Sequence, residues 1–205
     1  MTRIISALTI GALLLAAPLT AGIDEALEHF KKGDYATAAA YLRKVVEANP
    51  EHRRARYYLG LSLLEEKHWD EATQQFRALE EAGEGEPAPE QVKVGLARAA
   101  MGNKDWDAAD AALDEALVLN ADSPEVYLRL GELYLHQENY RMAVEPLEKA
   151  IQLDPKLAYA YYYAGIAYSN LKRQDKMVDY FRIFRKLAPN APEGKKVDSL
   201  LRSVR

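Results

Sequence analysis

The 205-residue chain contains no cysteine. This absence excludes disulfide bonds, metal sites built on thiolates, cysteine nucleophiles and a lipid-modified N-terminal cysteine. The sequence also lacks a glycine-rich phosphate loop after a predicted strand and a serine nucleophile elbow. The four histidines have no metal-ligand spacing; they are His29, His52, His68 and His136. We therefore expect no catalytic site, no bound metal and no cofactor.

A large excess of one charge is also missing, since the formal net charge is −4 at pH 7. A nucleic-acid partner is therefore not expected. The charges are unevenly distributed: residues 80–123 contain eleven acidic and three basic residues, whereas residues 156–205 contain eleven basic and four acidic ones. Such runs are typical of solvated helix faces, and the alternative is a basic end that docks on an anionic partner or surface.

The N-terminal segment has the pattern of a secretory signal peptide. The positive charge of Arg3 is followed by an apolar stretch from Ile4 to Ala17, by the helix breaker Pro18, and then by residues 19–22, which offer small residues for cleavage. The pattern predicts a signal peptide in residues 1–22, cleaved after Ala21 or Gly22. We therefore expect a periplasmic or secreted protein without stable membrane insertion after cleavage. The alternative is an uncleaved segment that anchors the chain in the membrane.

Self-similarity with a period of about 34 residues runs through the remaining chain. An aromatic residue recurs at Tyr35, Trp69, Trp106 and Tyr140, in steps of 34, 37 and 34 residues. Alanine follows each of them three positions later, and glycine or alanine precedes each by nine positions. In a fifth repeat Gln174 takes the aromatic position. Repetition at this length is the signature of stacked helical pairs, which share a continuous core and commonly provide binding surfaces.

Residues 124–157 show the pattern of one helical pair most clearly. The first helix carries an apolar stripe at positions i, i+3, i+4 and i+7, formed by Tyr127, Leu130, Gly131 and Tyr134. The second helix carries a stripe formed by Ala143, Leu147 and Ala150. This pattern predicts that Gly131 faces Ala143 where the two helices come closest. Pro155 then ends the pair, because proline cannot continue a helix.

These stripes, together with Tyr140 and Pro155 and their equivalents in the other repeats, resemble the tetratricopeptide repeat family. The resemblance covers nearly all of residues 23–205 and implies an all-α fold: a solenoid of helix-turn-helix units in a right-handed superhelix. The predicted units are residues 23–52, 53–86, 90–123, 124–157 and 158–191, with a linker at 87–89 and a C-terminal capping helix in 192–205. The segment 83–89, rich in glycine and proline, is predicted as a long turn or, alternatively, as a hinge.

The predicted capping helix has its own apolar stripe, formed by Val197, Leu200, Leu201 and Val204. Its polar face is basic. We expect the apolar stripe to cover the open end of the fifth unit. A helix that lies on a membrane surface is the alternative.

The resemblance also implies that the first helix of each unit lines a concave groove in which a partner binds. The predicted groove residues are Arg54, Tyr57, Leu61, Leu64, Val94, Arg98, Met101, Leu128, Glu132, Leu135, Tyr159, Tyr162 and Ile166. They are mostly apolar or aromatic, as binding surfaces for a peptide or an amphipathic helix need. The two central charges, Arg98 and Glu132, either orient a ligand or pair with each other.

The expected function is therefore that of a non-enzymatic adaptor or scaffold in the bacterial cell envelope. It would bind a peptide or a helix of a partner protein in its groove. An enzyme is not expected, because the repeats and the cap occupy residues 23–205. The alternative is a homo-oligomeric structural component, assembled by contacts between the acidic middle of one copy and the basic end of the next.

Overall fold

The computed structural model describes residues 22–203, and this part of the chain contains eleven helices and no strand. The helices are α1 (residues 22–31), α2 (Tyr35–Ala48), α3 (Arg53–Glu65), α4 (Trp69–Glu81), α5 (Pro89–Gly102), α6 (Trp106–Leu119), α7 (Pro124–His136), α8 (Tyr140–Leu153), α9 (Ala158–Asn170), α10 (Gln174–Leu187) and α11 (Gly194–Arg202). The predicted all-α repeat fold is confirmed. Apart from residue 22, the predicted signal peptide lies outside the described residues, as does Val204.

The position that holds the recurring aromatic residue coincides with the first residue of each second helix. The second helix of each pair begins at the predicted position, from Tyr35 in the first repeat to Gln174 in the fifth. Polar side chains directly before several helices accept a hydrogen bond from the backbone of the first turn, which satisfies a donor that the helix leaves unpaired. Asp34, Asp105 and Asn139 act in this way.

The turn between the two helices of each pair contains one residue in the left-handed backbone region. In the first repeat this residue is Gly33, with φ +77°. The other four repeats place a side chain there, at Lys67, Lys104, Glu138 and Lys172, with φ between 58° and 62°. A side chain in this region is strained because its Cβ approaches the following carbonyl, and glycine avoids that strain.

We expect Gly33→Ala to lower the free energy of unfolding by about 1 kcal/mol. No atom lies within 4 Å of a Cβ built at this position, so the cost comes from the backbone alone. The matched control is Lys67→Ala, because that position already holds a side chain at φ 62°. Urea denaturation followed by circular dichroism should show a loss for the first variant and almost none for the second. Equal midpoints would contradict this account.

The described part of the chain forms two compact units, which divide between Asn103 and Lys104. In the first, α1 to α5 share one core. The ring of Phe76 from α4 is fully buried there, and it lies against two glycines of neighbouring helices. A Cβ on Gly60 or Gly95 would come within 2.8 and 2.5 Å of this ring, respectively. The absence of a side chain at these two positions therefore lets α3 and α5 approach α4.

The segment between α4 and α5 belongs to this same unit and is held by one arginine. Arg53 Nη2 donates to the carbonyl of Gly83 at 2.8 Å, and its Nε donates to the carbonyl of Glu86 at 3.2 Å. A third hydrogen bond reaches the carbonyl of Leu79. These contacts favour the long turn over the hinge. Helix α5 begins at Pro89, the last residue of the predicted linker.

In the second unit, the side chain opposite the glycine of the first helix is not the one predicted. A Cβ on Gly131 would lie 2.3 Å from Cγ of Leu147, and one on Gly165 would lie 2.5 Å from the ring of Phe181. The predicted contact between Gly131 and Ala143 is therefore corrected. The glycine makes room for the large residue that follows the alanine by four positions, which gives the helical pair a larger apolar contact.

Helix α11 packs on α10 at the end of the second unit, as predicted for a cap. Val197 is fully buried in the same cluster as Phe184. Arg185 fixes the helix, because its Nε donates to Asp198 Oδ1 at 3.0 Å and its Nη1 donates to the carbonyl of Pro189 at 2.7 Å. The described part of the apolar stripe, Val197, Leu200 and Leu201, therefore packs against protein, as a cap requires.

Candidate functional site

In the first unit, the predicted groove residues of α3 form a row that runs from exposed to buried. Arg54 is exposed, and its guanidinium lies over the ring of Tyr58 at 5.9 Å. Tyr57 and Leu61 are half-buried, whereas Leu64 is only 3% exposed. The accessible part of α3 therefore consists of a cation and two apolar side chains on its first two turns.

Of the predicted groove residues on α5, Arg98 alone is half-buried rather than buried. Its Nη2 donates to Glu65 Oε1 at 2.7 Å, which ties α5 to the end of α3. Val94 and Met101 are buried. Arg98 thus has an ion-pair partner inside its own unit, and the sequence had suggested Glu132 as a partner instead.

In the second unit, Glu132 belongs to a largely buried polar network. Arg129 lies within 2.6 Å of Glu132 and 2.7 Å of Glu125, and the hydroxyl of Tyr163 donates to Glu132 at 2.7 Å. Burial opposes ionisation of Glu132, but the charge of Arg129 and the hydrogen bonds from Tyr163 and Arg129 outweigh it. The pKa of the Glu132 carboxyl therefore lies below its usual value. Burial, and then Glu132, raise the pKa of the Tyr163 phenol.

A cluster of tyrosines forms the rest of the predicted surface on α9. Tyr159 is half-buried and donates from its hydroxyl to Glu193 Oε2 at 3.0 Å, next to the cap. Tyr162 is only 9% exposed and packs beside Phe184, with ring centroids 5.1 Å apart. Ile166 is half-buried. The rings of this cluster hold one another in place, so the accessible edges form a rigid apolar surface.

The thirteen predicted groove residues thus divide into two groups. Five are buried and offer no surface in the free chain: Leu64, Val94, Met101, Leu128 and Tyr162. Eight remain exposed or half-buried, and we call them the accessible groove residues: Arg54, Tyr57, Leu61, Arg98, Glu132, Leu135, Tyr159 and Ile166. Helical spacing alone placed all thirteen on one side of their helices, but it carries no information on how closely the neighbouring helix covers each one.

The structure also contains two clefts that the sequence analysis missed. One, of about 820 Å³, lies in the second unit between α7 and α8 and is bordered by Tyr134, Met142 and Pro146. The other, of about 370 Å³, lies in the first unit and is bordered by Arg53 and Leu79. The sequence signal for the larger cleft was the pair of apolar residues Met142 and Pro146 in the second helix of its unit, α8. Met142 remains 52% exposed there.

The histidines contact neighbouring residues of their own units. His29 lies 2.9 Å from Asp34 and stacks on Tyr41, and His52 caps α3. Over residues 22–203, no group of three histidine, aspartate or glutamate side chains could hold a metal ion. No helix in this part of the chain is long and apolar enough to cross a membrane.

Profiles of the tetratricopeptide repeat match residues 23–87, 94–158 and 159–191. The chain belongs to the tetratricopeptide repeat family. The matched ranges overlap every helical pair described above, and only the first residues of α5, before residue 94, lie between two of them. Members of this family bind protein or peptide partners, and they generally act as non-catalytic adaptors.

Several known proteins are similar to this chain in sequence or in structure. The BBSome complex member BBS4 homolog of Drosophila melanogaster is 26% identical over 171 residues, which cover 78% of this chain and 35% of that protein. The chain thus spans about a third of that relative's length. A thermophilic TPR protein from Thermus thermophilus has a TM-score of 0.73 at 18% identity, covering 90% of this chain and 99% of that one. YrrB, a TPR protein with an unusual peptide-binding site, has a TM-score of 0.55 at 18% identity, covering 87% and 90%.

Proposed function

We propose that this tetratricopeptide repeat protein is a non-enzymatic adaptor of the bacterial cell envelope that binds a peptide or a helix of a partner protein. The observation that carries the proposal is the set of accessible groove residues. Five of these eight are aromatic or aliphatic: Tyr57, Leu61, Leu135, Tyr159 and Ile166. Apolar side chains that stay accessible on rigid helices are the usual anchors of protein interfaces.

We expect the three charged members of the set to bind polar groups of the ligand, either of its backbone or of its side chains. Arg54 is exposed beside Tyr58, and Arg98 and Glu132 are already fixed by Glu65 and Arg129. Side chains that are fixed before binding lose little conformational entropy on binding. The peptide-binding site named for YrrB agrees with a binding role for such a fold.

The envelope location rests on the N-terminal sequence, with its apolar stretch from Ile4 to Ala17 and the small residues before Gly22. Mass spectrometry of the protein from the envelope fraction of its source cell tests this part. Cleavage after Ala21 or Gly22 would give a new N-terminus at Gly22 or Ile23. An intact N-terminus on protein in the cytoplasmic fraction would contradict export, and an intact N-terminus in the membrane would establish the anchored alternative.

The adaptor proposal is tested with two triple variants used as bait in an envelope extract. The groove variant carries Leu61→Ser, Leu135→Ser and Ile166→Ser. The matched control carries Val46→Ser, Val144→Ser and Ile151→Ser, which changes the same number of half-buried apolar residues on second helices, outside the predicted groove. Circular dichroism first establishes that both variants fold.

A partner captured by the unchanged chain and by the control, but lost with the groove variant, is the expected result. The bound segment of that partner is then synthesised as a peptide and titrated calorimetrically. We expect one peptide per chain and at least about tenfold weaker binding to the groove variant. Equal binding to both variants would place the site outside the accessible groove residues and overturn the proposal.

A further inference from the structure

Pairs of large apolar side chains are exposed at two separate places in the second unit. Val118 and Leu119 are 89% and 51% exposed at the end of α6, and Ile183 and Leu187 are 39% and 37% exposed near the end of α10. Single exposed apolar residues are normal on protein surfaces. Two pairs of them, each near the end of a helix, are a more specific feature, because neighbouring apolar side chains form a small patch.

Carboxylates without an ion-pair partner among the described residues come before and after the first pair in the chain. Asp107 and Asp114 lie on the same exposed stripe of α6 as Val118, at i, i+7 and i+11, and Asp122 follows the helix. None of these three aspartates forms an ion pair within residues 22–203. We call this surface the acidic patch: Asp107, Asp114, Val118, Leu119 and Asp122.

The second pair is surrounded by unpaired cations. Arg182 and Lys186 alternate with Ile183 and Leu187 on α10, and all four side chains are exposed. Neither cation has an ion-pair partner among the described residues, whereas the neighbouring Arg185 is occupied by Asp198. We call this surface the basic patch: Arg182, Ile183, Lys186 and Leu187.

We propose that the acidic patch of one copy of this chain binds the basic patch of a second copy. Each patch combines two aliphatic side chains with two or three charges of a single sign, and the signs are opposite. In such a contact the apolar residues leave water together, and each of the two cations gains a carboxylate that it lacks in the free chain. A second copy is the favoured occupant because one chain carries both complementary surfaces.

The contact would be heterologous, since the two patches are different surfaces. Each copy then uses one patch for each of two neighbours, and the assembly either closes as a ring or continues as a filament. The accessible groove residues take no part in it. The assembly would therefore present several partner-binding surfaces at once, and its failure would leave the adaptor proposal untouched.

The experiment is sedimentation velocity of the full chain over a range of protein concentrations. We expect association at about 50 mM NaCl that weakens strongly at about 0.5 M, because exposed charges are screened by salt. An acidic-patch variant carries Asp107→Lys and Asp114→Lys, and a basic-patch variant carries Arg182→Glu and Lys186→Glu. Each alone should need at least about tenfold more protein to associate, because like charges now face each other.

An equimolar mixture of the two variants decides the question. The reversed patch of one variant complements the reversed patch of the other, and the unchanged patches still match, so the mixture should associate like the unchanged chain. The control carries Asp24→Lys and Glu47→Lys at exposed positions of the first unit, which changes the net charge by the same amount as in the acidic-patch variant, and it should associate normally. A monomer at low salt, association that persists in both variants, or a mixture that stays dissociated would each overturn the proposal.

Discussion

Replacing Phe76 with alanine is expected to lower the free energy of unfolding by about 3–5 kcal/mol. The ring is fully buried, and a Cβ added to Gly60 or Gly95 would lie within 2.8 or 2.5 Å of it, respectively. Three helices therefore meet on one side chain. Its removal would open a cavity that the helix backbones cannot fill without moving together. Urea denaturation followed by far-ultraviolet circular dichroism measures the loss.

A double-mutant cycle with Gly95→Ala separates this packing from a general effect of a smaller core. Alone, Gly95→Ala forces a methyl group against the ring, and we expect a loss of about 1–3 kcal/mol despite the better helix propensity of alanine. In the Phe76→Ala background the methyl group has room, so most of that loss should disappear. Additive effects of the two substitutions would show that the ring and Gly95 do not share one space.

Replacing Glu132 with glutamine is expected to cost about 3 kcal/mol, because it removes one charge of a buried ion pair and leaves Arg129 largely buried beside a neutral group. The Glu132 side chain is 17% exposed and that of Arg129 is 18% exposed. The matched control is Glu125→Gln, which changes the other partner of the same arginine. Glu125 is 43% exposed, so solvent screens its pair, and we expect a loss below about 1 kcal/mol. Equal losses in the two variants would contradict this assignment.

The Glu132 pair also predicts a dependence on pH. The pKa of this carboxyl is lower in the folded chain than in the unfolded chain, so the unfolded state takes up its proton first as pH falls. Its contribution to stability is complete above the unfolded pKa of about 4.3 and is lost as pH falls through the folded pKa. The stability difference between the unchanged chain and Glu132→Gln should therefore shrink below about pH 4. A difference that stays constant down to pH 3 would contradict the pKa assignment.

The accessible groove residues show how far helical periodicity reaches into a candidate site. Tyr57, Leu61 and Leu64 follow one another on the same stripe of α3, yet Leu64 is buried while the other two are half-buried. Periodicity gives the direction in which a side chain points from its own helix. It does not give the distance to the next helix, which decides whether that side chain meets protein or water.

The charges illustrate the same limit. The sequence analysis proposed that Arg98 and Glu132 orient a ligand or pair with each other, because both lie near the centre of the predicted groove. The structure gives Arg98 the partner Glu65, and it gives Glu132 the partners Arg129 and Tyr163. The pair of Arg129 and Glu132 follows from i, i+3 spacing and could have been read from the sequence. The contact with Tyr163 could not, since it joins two helices.

By itself, the sequence determined the family, the all-α repeat fold and the start of each second helix, from Tyr35 to Gln174. These features depend on residues close together in the chain: caps, turns and apolar spacing. Only the tertiary structure decided that Gly131 faces Leu147, which groove residues stay accessible, and that exposed apolar pairs lie among charges of opposite sign on α6 and α10. Those features depend on the axial offset between packed helices and on which surfaces a neighbouring helix covers. Both are determined by residues that lie far apart in the chain.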